Sequence, residues 1–262
     1  MNRIAVVATH HKAGTVWMNG TFSKIGEALN VRVVNAGREP NLTLEPPVIL
    51  CAANAKLRSY EYVSEVGRFF HVVRDPRDIV ISSMHYHCIA NEKWLLRADP
   101  DLDGRTYKEA ICALATPRAR YAFEMSHSSA RNVADMLAWN HVRSFECRYE
   151  DLIRDTDGAV FARGCEHLGF SDQEIEVCRK VFWEQALFGG KAAQKQKGQI
   201  AHVRSGEPEQ WRHVFDRKLG EAFLAQFGDA LIRLGYEKDD AWIESLPALR
   251  PELDLSSHAP SK

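Results

Sequence analysis

Ile4-Ala5-Val6-Val7-Ala8-Thr9 runs into His10-His11-Lys12-Ala13-Gly14-Thr15-Val16-Trp17 and then into an amphipathic stretch. An apolar, β-branched segment that breaks into a short loop with one Lys and one Gly, and then turns helical, has the layout of a phosphate-binding strand-loop-helix. Backbone N–H groups of such a loop and of the first helical turn point at an anion, the helix dipole favours negative charge, and Lys12 adds a full positive charge. The helical half is read from spacing: Met18, Phe22, Ile25 and Leu29 recur on one face, with Asn19, Ser23, Lys24 and Glu27 elsewhere on the surface. The loop is not a Walker A sequence, because Lys12 precedes Gly14 by two residues and no Lys-Ser or Lys-Thr follows the Gly. Alone, it fits an ordinary strand-to-helix turn with a surface Lys equally well.

The 262 residues suffice for one α/β domain with a substantial core or for two small ones. With 34 basic against 35 acidic side chains the net charge is -1, so no global basic field points to nucleic acid as a partner, and any anion must be bound locally. There is no 18-residue apolar run, and the first strand begins too early for a signal pattern; the expectation is a soluble cytoplasmic protein with no membrane contact. The six cysteines, Cys51, Cys88, Cys112, Cys147, Cys165 and Cys178, form no Cys-x-x-Cys pair and are expected as free, mostly buried thiols. The eleven histidines include no His-Glu-x-x-His, and His85-Tyr86-His87 would diverge on a helix, so no metal is expected.

Further along, Val31–Val34 and Val48–Cys51 read as short strands around a Pro-containing loop, while Glu61 to Val66 is too short a pattern to assign. Phe69–Val73 has the length and apolarity of a strand buried on both faces of a parallel sheet. It ends in Arg74-Asp75-Pro76-Arg77-Asp78, and a helix is expected from Ile79. Two Arg beside two Asp fit a salt-bridged surface turn. They fit equally an Arg74 that meets an anion, because open parallel sheets bind ligands outside the carboxyl ends of their strands. Residues 91–129 lose periodicity and read as an insertion of the kind that forms a lid, a substrate-binding segment or a small helical subdomain.

A helix over Arg131–Arg143, a strand over Ser144–Tyr149 and a helix over Val160–Leu168 follow. Ser171 and Glu174 form a capping box for a helix from Asp172 to about Leu187. Residues 189–206 form a basic, Gly-containing loop, either solvated or closing over a phosphate. Glu209–Phe215 and Leu219–Leu234 read as helices, the second with Phe223, Phe227, Ala230 and Leu234 on one side. A domain over 1–247 and a disordered tail over 248–262 complete the expected organisation.

Four stretches resemble, in order, the sulfotransferase family that uses 3′-phosphoadenosine 5′-phosphosulfate (PAPS) as donor. The family's Lys-Ser-Gly-Thr-Thr-Trp loop, which holds the 5′-phosphosulfate side, is matched by Lys12-Ala13-Gly14-Thr15-Val16-Trp17. Its Arg and Ser about eight residues apart, which hold the 3′-phosphate, are matched by Arg74 and Ser82, with Ser83-Met84-His85-Tyr86 following. Its Tyr-Glu-Asp-Leu segment, which places a Tyr near the adenine, is matched by Tyr149-Glu150-Asp151-Leu152. Its late Arg-Lys-Gly loop, followed by a Trp and a Phe, is matched by Arg204-Ser205-Gly206 and Trp211-x-x-x-Phe215. Val16 for Thr removes one hydroxyl from the 5′ side, and Ser205 for Lys removes one charge from the 3′-phosphate site.

The resemblance implies an α/β fold with a central, mostly parallel sheet flanked by helices. It also implies in-line transfer of a sulfuryl group from PAPS to a hydroxyl or amine, without a metal and with 3′-phosphoadenosine 5′-phosphate (PAP) as product. Lys12 would stabilise charge on the leaving phosphate and bridging oxygen. Trp17 would offer a stacking face to adenine or pack into the core. The family often carries a catalytic His after the second core strand, but Leu50-Cys51-Ala52-Ala53-Asn54 has none. His11, beside Lys12, is the first candidate for the base and equally a structural residue; His10, Glu27 and Glu45 are the others. Two rival readings are a small-molecule kinase, with Asp75 or Asp78 holding Mg²⁺, and a nucleotide-binding protein without turnover. The acceptor, small molecule or glycan, is not legible.

Overall fold

Five strands form one sheet in the order β2-β3-β1-β4-β5, and every neighbouring pair is parallel. They are β1 (Ile4–Thr9), β2 (Arg32–Asn35), β3 (Val48–Ala53), β4 (Arg68–Val73) and β5 (Ser144–Arg148). The computed structural model describes residues 3–39, 43–190 and 206–256. The chain divides into two compact units, one of Met1–Arg74 with Ala138–Pro208 and one of Asp75–Leu137 with Glu209–Lys262. No helix among the described residues is long and apolar enough to cross a membrane.

The first unit holds the whole sheet. β1 is buried at every residue because β3 and β4 pair with it on both sides and both of its faces are covered, which is why it reads as an unbroken apolar run. Ala5, Val7, Ile49, Cys51, Phe70 and Val72 share a core with Met18, Phe22 and Ile25 of α1 (Thr15–Leu29). Phe161 and Leu168 of α8 (Ala159–Leu168) and Phe182 of α9 (Asp172–Gln185) complete that layer. On the other face Val6, Val48, Leu50 and Phe69 pack with Tyr60 and with Val63 of the short α2 (Val63–Val66). The alternation of these two sets along each strand is the period-two pattern of a sheet with two covered faces. One further helix of this unit, α7 (Tyr149–Arg154), follows β5 directly.

Gly164 of α8 shows how closely this layer sits on the sheet. A Cβ there would lie 2.1 Å from Phe70 Cε2, and the Phe70 ring is hemmed in by Phe22, Phe145 and Phe161. Gly164→Ala is therefore expected to lose about 1–3 kcal/mol through overpacking. A urea midpoint equal to that of the unchanged protein would contradict this account of the contact.

The second unit is helical: α3 (Pro76–Ile89), α4 (Tyr107–Cys112), α5 (Pro117–Ser126), α6 (Ser128–Leu137), α10 (Trp211–Val214), α11 (Arg217–Phe227) and α12 (Ala230–Arg233). Val80, Ile81, Tyr107, Ile111, Tyr121, Trp211, Phe215, Phe223 and Trp242 are among its core residues. α3 starts three residues before the expected Ile79, because Asp75 caps it through Arg77 N–H and Pro76 suits the first turn. Between residues 91 and 129 a turn-rich stretch with a 3₁₀ turn over Pro100–Leu102 leads into α4, α5 and the start of α6, and Thr106 with Glu109 makes a capping box at the start of α4.

α6 ends at Leu137, six residues short of the expected Arg143. The single helix expected over Leu219–Leu234 is two, broken at Gly228 with φ 53. The tail expected to be disordered from 248 is ordered through residue 256. Pro251–Leu253 forms a 3₁₀ turn, Leu253 is buried, and Asp254 pairs with Arg118 at 2.7 Å. Residues 257–262 lie outside the described part.

Candidate functional site

The loop between β1 and α1 is closed from within. Ala13 N–H and Thr15 Oγ1 both donate to His10 O, at 3.0 and 2.8 Å, and Thr9 Oγ1 donates to Thr15 Oγ1 at 3.0 Å. Two of its residues have left-handed backbone, Lys12 with φ 63 and Gly14 with φ 88. Gly14 is the N-cap of α1 and has no side chain to occupy the first-turn N–H groups, so the helix N-terminus is left for an external acceptor. The loop also lies against Tyr149: a Cβ on Gly14 would stand 3.2 Å from Tyr149 Cδ2. Val16 is 67% exposed, while Ala13 is buried.

β4 runs parallel to β1 with Thr9 beside Val72, so the residues that follow each strand emerge at one sheet edge. Arg74 uses this proximity: its Nη1 donates to Lys12 O at 2.8 Å, and its guanidinium stands 4.5 Å over the Tyr149 ring. Tyr149 OH in turn donates to Gly206 O at 2.7 Å. Lys12, Gly14, Arg74, Tyr149 and Gly206, taken from distant parts of the sequence, are thus joined by direct contacts. Arg204 and Ser205 lie outside the described residues. Trp17 has one face stacked on Phe182 at 5.4 Å and its ring edge-on to Tyr149 at 6.1 Å, so at least one face belongs to the core.

A line of ionisable side chains crosses the sheet and ends at this loop. Glu146 on β5 sits opposite His71 on β4, and His71 is beside Ala8 on β1, two residues before His10. Glu146 Oε2 meets His71 Nδ1 at 3.0 Å, and His71 Nε2 meets His10 Nε2 at 2.8 Å. Both histidines are wholly buried, whereas the Glu146 side chain is 52% exposed. Trp139 stacks flat on His71 at 4.2 Å.

Burial and the neighbouring His71 push His10 down to about 3. Burial also lowers His71, opposed by its bond to Glu146, and that same bond lowers Glu146. His71 and Glu146 were not legible as site residues, although a lone His and a lone Glu in strand segments were the signal available. Of the other candidate bases, His11 is half-buried in the loop itself. Glu27 is exposed, paired to Lys24 at 2.6 Å and three turns down α1, and Glu45 is exposed.

In the second unit, the charged turn is not a surface feature. Arg77 is buried, its Nε and Nη2 donate to Asp75, its Nη1 donates to Glu237 at 2.6 Å, and Trp211 lies 3.6 Å from its guanidinium carbon. Asp78 Oδ1 accepts Trp211 N–H at 3.0 Å. Ser82 is half-buried on α3. Trp211 and Phe215, the pair that follows the late loop, are core residues.

The family model of the sulfotransferase domain matches residues 3–235. Among solved structures the chain is similar to retinol dehydratase, crystallised with androsterone and inactive cofactor PAP. That match has 17% identity, covers 87% of this chain and 80% of that one, and has a TM-score of 0.50. It is also similar to mouse sulfotransferase SULT7A1 complexed with PAP, at 16% identity over 88% and 84% of the two chains, with a TM-score of 0.55. A search of curated protein sequences finds no match. The parallel sheet and the two structural likenesses agree in fold, the family model runs through both units, and on that match the chain belongs to the sulfotransferase family.

Proposed function

We propose that this enzyme transfers the sulfuryl group of PAPS to a hydroxyl or amine of a small molecule, in the cytoplasm and without nucleic-acid or membrane partners. The observation that carries the reading is the uncapped α1 N-terminus behind a loop whose Lys12 and Gly14 are both left-handed, braced from the next strand by Arg74. Lys12, Ala13, Gly14, Thr15 and the N-terminal residues Val16 and Trp17 are assigned to the 5′-phosphosulfate end. The N–H groups of the first turn bind the anion there, and the Lys12 ammonium stabilises the leaving phosphate. Arg74 and Ser82 keep their assignment to the 3′-phosphate from the motif, as do Arg204, Ser205 and Gly206. Tyr149, held by Gly206 O and by Arg74, is assigned to the adenine. Catalysis is then positioning plus charge stabilisation around an in-line displacement at sulfur.

The kinase reading loses its metal ligands to other work. Asp75 is bound to Arg77, and Asp78 accepts the Trp211 N–H. The deciding experiment is a thermal melt with PAP and, in parallel, with ADP. At about a hundred times its dissociation constant PAP is expected to add about 2.7 kcal/mol, a rise of several degrees. An equal rise with ADP, or none with either, would overturn the assignment of the donor.

A further inference from the structure

We infer that the acceptor's proton is taken up by the Glu146–His71–His10 line and held on Glu146 while the sulfuryl group moves, an inference that rests on the transfer reaction proposed above. The hydrogen bonds fix the direction of the line. Glu146, a carboxylate, only accepts, so His71 carries its proton on Nδ1 and presents a bare Nε2. His10 must then donate from Nε2, which leaves its Nδ1 as a bare lone pair. That Nδ1 is buried and has no hydrogen-bond partner among the described residues. A buried polar atom left so in a folded protein calls for an explanation, and a catalytic role is one of the few available. His10 is also the residue where β1 ends and the Lys12 loop begins, the edge at which open parallel sheets bind ligands.

As the acceptor oxygen or nitrogen forms its bond to sulfur, its proton passes to His10 Nδ1, and the bond from sulfur to the donor's bridging oxygen breaks, its electron pair staying with the phosphate. His10 Nε2–H moves to His71 Nε2, and His71 Nδ1–H moves to Glu146. The line begins as one carboxylate with two neutral imidazoles and ends as one carboxylic acid with two neutral imidazoles. No imidazolium persists in a site where burial disfavours it. After the product leaves, the three hops reverse and the proton departs to water from His10. The flat Trp139 ring over His71 and the edge-on approach of the two imidazoles hold the hops in place. Among the described residues His141 beside His71 and Arg148 beside Glu146 also act on the line.

Glu146→Gln is the discriminating variant. The amide oxygen still accepts from His71 Nδ1, so packing and tautomers persist, but it cannot take the proton. PAP release from PAPS is measured with water, phenol and 4-nitrophenol as probe acceptors. With water and phenol it is expected to fall at least about tenfold. With 4-nitrophenol, already ionised near neutral pH, it is expected to fall by less than about threefold. Equal falls, or none, overturn the proposal, as does a phenol-specific loss in His11→Ala with Glu146→Gln unaffected. Nitrogen-15 NMR of labelled histidine needs no acceptor: His71 is expected protonated on Nδ1 and His10 on Nε2, and the opposite tautomers overturn the direction of the line. The PAP-specific melting shift is expected to survive in Glu146→Gln. Its absence from the unchanged protein would count against the donor assignment instead, while the NMR result would still report on the line.

Discussion

Lys12→Ala is expected to lower turnover by about a hundred- to a thousandfold, the loss seen when one preorganised charge is removed from a developing anion. Several contacts that shape the loop do not involve the Lys12 side chain. The loop is closed by bonds to His10 O and by Arg74 Nη1 on the carbonyl of residue 12, all of which an alanine there retains. Alanine at φ 63 is also no more strained than lysine, since both carry a Cβ. The fold and most PAP binding should therefore persist, and the fall should appear in kcat more than in KM for PAPS. Lys12→Arg should recover little, because a planar fork does not replace a point charge in a tight loop. Near-normal turnover in Lys12→Ala would remove Lys12 from the mechanism.

Asp216→Ala is expected to destabilise the protein by about 3–5 kcal/mol, as removal of one partner from a buried ion pair does. Asp216 is wholly buried and accepts four hydrogen bonds. Two come from Arg118 at 2.8 and 2.7 Å, one from Leu219 N–H and one from Arg250 N–H, both at 2.9 Å. Burial pushes this carboxyl up, but the bonds from Arg118 and the two backbone donors outweigh it and hold it at about 2, below its ordinary 3.8. A depressed acid contributes its stability above the unfolded value and loses it as the pH falls through the folded one. The gap between the unchanged protein and Asp216→Asn should hence be full at neutral pH and shrink between about 4 and 2. Urea titrations at both ends of that window test the value and its sign. Asp254, which shares Arg118 but is 46% exposed, should matter far less than Asp216.

The sheet was legible because strand burial is written in composition. Ile4–Thr9 and Phe69–Val73 could hardly be anything but strands covered on both faces. The strand-loop-helix around Lys12 was legible because its cues are local, a Lys and a Gly at the turn. Arg77 was harder: a charge mixture looks solvated until Trp211 and Glu237, more than a hundred residues away, are brought over it. The histidine line was beyond reach for a similar reason. It needs the register that sets His71 opposite Glu146 and beside Ala8, and register is a property of pairing, not of any one strand. Residues 91–129 hid their helices in short elements, although Thr106 with Glu109 carried the capping signature in plain view. Gly228 was read through as helix because an isolated glycine does not announce its φ.

The left-handed backbone at Lys12 has a consequence for how this sequence can drift. A residue chosen there for stability alone would be glycine, which adopts φ 63 without the roughly 1–2 kcal/mol penalty of a Cβ. Asn54 and Ala55, at the end of the neighbouring β3, sit in the same region with φ 57 and 51, so strain gathers at the sheet edge where the donor loop emerges. On the role proposed for Lys12, the most durable version of this protein and the most active one are different sequences. Selection or design for thermal endurance without an assay for transfer would erode these turns first, and Lys12→Gly would be among the earliest gains in durability, with the loss of turnover expected of Lys12→Ala.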